Sequence, residues 1–303
     1  MEMLSTRMIQ IGLVAKITHT LTKPSWFLQL DETGCNTNQT RDSNICNTKV
    51  LDITRTKAQQ QANTSDHRAT VLPITAAIGE TLTYVVIFES NVEGGVQPLW
   101  ASGINIRITP IMDESAEVQF GQNYGCNKYF PGLLVCKFQG RTIHPQVYVS
   151  PHGGITGEIL LQVFKRIDEL DLFPRDNGVY PCVLLDGHNS RLYEPFIKYI
   201  NSPTTKWGFI LGIPYGTSYW QVADTTYLNG WFKCLWYREK KKLVTFKAIR
   251  GLPINMGVTD IVPCLRPALE GSFGVIENVK KALSICGWNP LNRGALVHPD
   301  MVI

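Results

Sequence analysis

The sequence predicts an α/β protein, a mixed sheet with helices packed on its faces. Three observations carry that expectation. Residues 70–76 and 81–88 are β-rich runs with Gly79-Glu80 between them, the pattern of a hairpin. Cys182-Val183-Leu184-Leu185 is a continuous apolar run, which suits a strand buried on both faces of a sheet. Ile155, Ile159, Leu160, Val163, Phe164, Ile167 and Leu170 recur at helical spacing.

The elements follow in chain order. Trp26-Phe27-Leu28-Gln29-Leu30 is a short, mostly apolar strand ending at Asp31. Residues 36–68, full of Asn, Thr, Gln and Asp, read as a long loop. After the hairpin, residues 91–143 are rich in Gly, Asn and Pro and read as an irregular insertion. Thr156 is placed to cap the helix that follows, and Glu158 suits its positive end. The apolar strand at 182–185 ends at Asp186. A short helix over residues 192–200 follows, with Asn189 or Ser190 as its cap and Pro195 limiting its start. Residues 207–213 are the next strand. Leu228, Trp231, Phe232, Leu235 and Trp236 then mark a long helix, and the spacing of Trp220, Trp231 and Trp236 reads as a buried face. Asp224 falls on the same face one turn earlier, directed back at the sheet. A small helical part completes the chain.

Composition bounds the function classes. Apolar residues make up 44% and charged residues 18% of 303 positions, ordinary globular usage that excludes wholesale disorder. The formal charge is +4. No stretch approaches the roughly 18 to 20 apolar residues of a membrane helix, and no secretory leader is read at the start. The eight cysteines contain no CxxC pair, which argues against structural zinc and thioredoxin-type redox chemistry. GxxxxGK[ST], GxSxG and HExxH are all absent from the sequence.

Asp31, Asp186 and Asp224 are the candidate chemistry. Two stand directly after apolar strands, where ligands gather in α/β sheets. Neighbouring acids there repel unless a cation joins them. Hard oxygen ligands without His or Cys suit Mg²⁺ or Mn²⁺. Each acid alone also fits a turn, a strand end or a helix cap. Glu32 lies beside Asp31, but strand alternation points it to the opposite face.

The local motifs add a resemblance. Leu30-Asp31-Glu32-Thr33-Gly34 resembles the DETG box of DDE-superfamily transposases of the pogo and mariner-related kind. Leu184-Leu185-Asp186-Gly187-His188-Asn189-Ser190 resembles their second box, Asp-Gly-His-x-Ser after an apolar strand. The segment from Pro214 through Thr217-Ser218-Tyr219 to Asp224 resembles the third, with Tyr219 where that family usually has His. Gly287-Trp288-Asn289-Pro290-Leu291-Asn292-Arg293 is similar to the tail of such domains. The resemblance implies a ribonuclease H-like catalytic domain over residues 24–245, with an N-terminal remnant at 1–23 and a helical extension at 246–303. It implies three Asp holding two Mg²⁺ or Mn²⁺ ions against a DNA phosphodiester, with His188 and Ser218 supporting them. It further implies DNA as partner and a nuclear location. It allows a homo-oligomer and calls for no membrane and no small-molecule cofactor. The family's helix-turn-helix unit does not fit into the about 25 residues before the first strand, so a second reading is a domesticated, catalytically inert domain that binds nucleic acid or protein.

Arg238, Lys240, Lys241, Lys242, Lys247 and Arg250 give six positive charges against one negative, Glu239, in thirteen residues. Such a run either neutralises DNA phosphates or forms a solvated helix end. His188 either orients a phosphate or water or caps a turn.

Overall fold

The structure is a computed structural model that describes residues 14–15, 21–37, 68–89, 135–150, 152–175, 179–212, 220–252, 254, 256 and 260–292. The bulk of the 36–68 and 91–143 stretches, Ser218 with the rest of its box before Trp220, and Arg293 lie outside these residues.

A mixed sheet organises the fold. Its strands are β1 (Phe27–Leu30), β2 (Thr33–Asn36), β3 (Arg68–Ala76), β4 (Thr81–Glu89), β7 (Gln146–Ser150), β8 (Cys182–Leu185) and β9 (Gly208–Leu211). They run in the order β7-β4-β3-β1-β8-β9, with β2 also paired to β3. β3 is antiparallel to β1, β2 and β4, whereas β1, β8 and β9 are mutually parallel and β7 is parallel to β4. β5 (Cys136–Phe138) and β6 (Arg141–Ile143) form a small separate hairpin. The end of the stretch read as irregular is therefore this hairpin. Gln139 and Gly140 take positive φ at its turn, as tight hairpins require.

The central strands are buried on both faces, which explains their unbroken apolar runs. All four residues of β1 and of β8 are buried. Gln29 is the one polar residue of β1, and its amide donates to Thr75 Oγ1 directly across the ladder. β1 and β2 share one register along β3, since Leu30 faces Ile74 and Thr33 faces Val71. The interruption at Asp31 and Glu32 thus falls opposite Pro73 and Leu72. Pro73 has no N–H to donate, so the ladder lapses where the acidic pair leaves the strand.

Helices cover the sheet: α1 (Gly157–Glu169), α2 (Glu194–Asn201), α3 (Trp231–Ile249), α4 (Ile261–Glu270) and α5 (Ile276–Ile285). Thr156 caps α1 as expected, its side chain accepting from Ile159 N at 3.2 Å. The next cap differs from expectation. His188, rather than Asn189 or Ser190, caps a 3₁₀ turn over Asn189–Leu192, and α2 starts only at Glu194, with Pro195 in its first turn. α3 also starts later than the spacing suggests. A π turn over Thr226–Gly230 precedes it, and the extra residue per turn shifts the helical phase. Trp231, read from spacing as core, is consequently 51% exposed, while Phe232, Leu235 and Trp236 are buried.

One core joins the sheet to the C-terminal helices. Trp288 stacks near Phe27 of β1 with ring centroids 5.5 Å apart. Asn289 Nδ2 donates to Ala77 O at 3.0 Å, and Thr81 Oγ1 donates to Phe273 O at 2.6 Å. α3 runs straight through position 245, where the motif reading divides the chain. Among the described residues no helix is long and apolar enough to cross a membrane.

The β3–β4 turn shows how closely the helices seat. Gly79 has φ +96°, and a Cβ there would lie 2.7 Å from Ile276 Cγ2 and 2.9 Å from Ile276 O. Gly79→Ala should therefore cost about 1–3 kcal/mol in urea denaturation. Gly34→Ala, at a position with open space around it, should change stability by less than about 0.5 kcal/mol. Equal losses in the two variants would mean that neither the Ile276 contact nor the positive φ of Gly79 sets the cost.

Candidate active site

The parallel pairing of β1 and β8 builds the site. Phe27 pairs with Cys182, Leu28 with Val183 and Gln29 with Leu184. The same offset separates Asp31 from Asp186, so the two acids leave adjacent parallel strands side by side. Neighbouring strands lie about 4.8 Å apart.

The next strand continues this row. β9 pairs Leu185 with Leu211, and Gly212 N donates to Leu185 O at 2.8 Å, so Gly212 stands beside Asp186. A Cβ on Gly212 would fall 1.3 Å from Trp220 Cζ2. The indole of Trp220 therefore lies where a side chain at position 212 would be. Trp220 is pinned from the other side, since its carbonyl accepts from Trp288 Nε1 at 2.7 Å.

Asp224 follows four residues after Trp220. The spacing predicts that it opens the long helix on its buried side. Instead it ends a 3₁₀ turn over Val222–Asp224 and is exposed, with the π turn between it and α3. Its Oδ1 accepts from the buried Asn229 Nδ2 at 3.3 Å. Packing of the Trp220 segment, not a helical face, brings it to the site.

Electrostatics tie the three acids together. Asp31 is 7% exposed. Burial raises its carboxyl from 3.8 to about 8, and the negative charges of Asp224, then Asp186 and Glu32, add to the rise, while the Glu32 backbone N–H opposes it. The field of Asp224 also helps burial push the Cys286 thiol up to about 11, so the C-terminal helices reach the same site.

Two residues enter the site that the sequence reading left out. Glu32, assigned by alternation to the opposite face, places Oε1 3.2 Å from Arg191 Nη2. Arg191 Nε lies 2.9 Å from Asp186 Oδ1, an ion contact whose angle falls outside a hydrogen bond. The alternation argument fails because the strand ends at Leu30, and neither Asp31 nor Glu32 belongs to the pleat. Burial raises the Glu32 carboxyl above its ordinary range, and the Arg191 guanidinium offsets only part of that rise. Nothing in the local sequence marks Arg191, because the contact to Glu32 spans 159 positions.

His188 acts as a cap. Its Nδ1 accepts from Ser190 N at 3.3 Å and lies 2.9 Å from Ser190 Oγ. Among the described residues no group of three or more His, Cys, Asp or Glu side chains forms a ready metal cage. Asp186 is occupied by Arg191, and Asp224 by Asn229.

The basic run lies on α3 and just beyond it, and its members differ. Lys240 is 5% exposed, and its Nζ donates to Asn36 O at 3.0 Å. Its ammonium is thus spent inside the fold, 5.5 Å from the Tyr237 ring. Lys247 pairs with Asp260. Arg238 and Lys242 flank Glu239 at 3.1 and 2.8 Å. Arg250 lies over Phe246 at 4.5 Å, and Lys241 is exposed.

The chain matches no protein-family model, no curated protein and no solved structure.

The Asp31 carboxyl sets a pH dependence. Between 3.8 and about 8 the folded protein keeps a proton on Asp31 that the unfolded chain releases. The folded state then binds more protons, so stability falls as pH rises through this window. Asp31→Asn has no proton to lose there. Its thermal denaturation should be flatter between pH 4 and 8 and its advantage over the parent largest near pH 8. A variant as pH-dependent as the parent would mean that Asp31 ionises normally.

Proposed function

We propose that the chain is a metal-dependent DNA endonuclease and strand-transferase of the transposase type, on a ribonuclease H-like fold. The observation that carries this reading is the shared register that sets Asp31 beside Asp186, with Asp224 close enough to raise the Asp31 carboxyl. The mixed sheet, with β1, β8 and β9 parallel and β3 antiparallel between β1 and β4, is compatible with the fold that the motifs imply.

The donor set fits hard divalent cations. Asp31, Glu32, Asp186 and Asp224 supply four carboxylates, and Arg191 is the one cation in direct contact with them among the described residues. Asp31, Asp186 and Asp224 would hold Mg²⁺ or Mn²⁺ through oxygen. When bound, a pair of such ions stabilises the attacking and leaving oxygens of a phosphodiester. Asp31 must give up its proton to join, so binding strengthens as pH rises toward 8. Asp186 must turn one oxygen from Arg191 or share it.

A second reading, an inert domain that keeps the fold and its contacts, is favoured by the absence of a ready cage among the described residues. A plasmid-nicking assay with Mn²⁺ separates the two. The parent should nick, and Asp31→Asn, Asp186→Asn and Asp224→Asn should each lower the rate by at least about a hundredfold. Mn²⁺ should also raise the melting temperature of the parent, because a ligand bound only by the native state stabilises it. Asp186→Asn should lose most of that shift. A parent that neither nicks nor shifts leaves the inert reading.

DNA contact would come from phosphate neutralisation, with little sequence preference. Binding to duplex DNA should fall steeply from about 50 to 200 mM salt. Replacing both Lys241 and Lys242 with Gln should reduce the salt slope by up to about 0.9 for each phosphate that is no longer neutralised. Lys240→Gln should instead lower stability, because Lys240 is buried against Asn36. Tight binding to one sequence at high salt, unchanged in the Lys241/Lys242 variant, would point to a base-reading element elsewhere.

A further inference from the structure

We infer that Arg191 is a positioning residue for Asp186, with Glu32 as its second anchor. The inference rests on the metal-dependent reading above and adds the device that holds one of its ligands.

Arg191 is the largest fully buried side chain among the described residues, at 0% exposure. A buried cation is costly unless its partners surround it. Each nitrogen of the guanidinium has its own. Nη1 donates to Ser190 Oγ at 2.6 Å, Nη2 donates to Glu32 Oε1 at 3.2 Å, and Nε makes an ion contact with Asp186 Oδ1 at 2.9 Å whose angle falls outside a hydrogen bond. The backbone is fixed as well, since Arg191 N donates to His188 O at 2.9 Å. A planar fork hydrogen-bonded to Ser190 and Glu32 cannot swing, so it fixes the position of the charge that faces Asp186.

The geometry follows the chain. Glu32 is the immediate neighbour of Asp31, and Asp186 is the register partner of Asp31 across β1 and β8. Arg191 therefore ties the exit of β8 to the exit of β1 at the point where both acids leave the sheet. Being buried, its guanidinium is shielded from a docked phosphodiester, and its influence passes through Asp186. Glu32 balances its charge. Without Glu32 the guanidinium would belong to Asp186 alone and would compete with a metal for that carboxylate.

The test uses the full chain and the variants E32Q, R191K, R191M and E32Q/R191M. Mn²⁺ affinity is measured by calorimetry, and stability by thermal denaturation without metal. Partners that orient a metal ligand typically change affinity about 10–100-fold when removed. E32Q, which keeps both Arg191 and Asp186, should weaken Mn²⁺ binding by about that factor, and so should R191M. R191K keeps the charge but not the fork, and should fall between the parent and R191M. The double variant removes an acid and a base together. It should recover stability relative to R191M, showing coupling in the metal-free cycle, without recovering Mn²⁺ affinity. Recovery of stability and affinity together would reduce Arg191 to a structural ion pair and overturn the inference. So would tighter Mn²⁺ binding by R191M, or parental affinity in E32Q, which remains informative if R191M fails to fold. A parent that binds no Mn²⁺ removes the metal-dependent reading and the inference with it. A parent that binds, with variants that bind equally well, removes the inference alone.

Discussion

The parallel pairing of β1 with β8 is the constraint on which the site depends. Two strands distant in sequence are locked in a single offset, and that offset is the one separating Asp31 from Asp186. A slip by one residue would put the exits of the two strands out of step and separate Asp31 from Asp186 along the strand direction. The slip is prevented by burial, since every residue of both strands is enclosed. The energy that sets Asp31 beside Asp186 is therefore the hydrophobic energy of the central sheet, and the acids repel one another. The Asp31 carboxyl is raised first by its burial, and the repulsion from Asp224, Asp186 and Glu32 adds to the rise.

Repulsion of this kind has two remedies, a proton or a cation, and the metal-free fold uses both. Asp31 keeps a proton, because it is the most buried of the acids and touches no cation among the described residues. Asp186 and Glu32 share Arg191. The division follows depth and reach. The Arg191 fork comes from the turn after β8, so it meets the acid on that strand and the longer of the two side chains after β1. A buried ion pair of this type adds little net stability against a hydrophobic alternative, while its loss leaves charges stranded. Its value lies in orientation.

Much of the sheet was legible in the sequence, because strands buried on both faces must be apolar throughout and the hairpin carries its own turn signal. The Thr156 cap was legible for a similar reason, being a local bond between a side chain and a backbone three residues on. The features that escaped depend on long-range packing or on a change of helical phase. Glu32 escaped because alternation assumes a continuous strand, and the strand lapses opposite Pro73. Arg191 escaped because its partner is remote in sequence. Trp231 escaped because the π turn before α3 rotates the face that a uniform period assigns to it. Asp31, Asp186 and Asp224 were legible as candidates from the strand ends, the helical spacing and the short motifs, but their proximity comes from strand register and packing, not spacing.

Asp224 shows how a site residue can be placed without a regular element of its own. Gly212 lacks a side chain, so the Trp220 indole occupies that space beside Asp186. Trp288 donates to the Trp220 carbonyl from beyond α5 and packs on Phe27 of β1. Asn229, in the π turn, holds the carboxylate itself. The C-terminal helices are thus part of the site's support. Loosening Trp288 would free the Trp220 segment and let Asp224 move away from Asp31. The Asp31 carboxyl would then lose its largest electrostatic perturbation, so its titration reports whether the far end of the chain is docked. Local chemistry and global packing are coupled here through one tryptophan carbonyl.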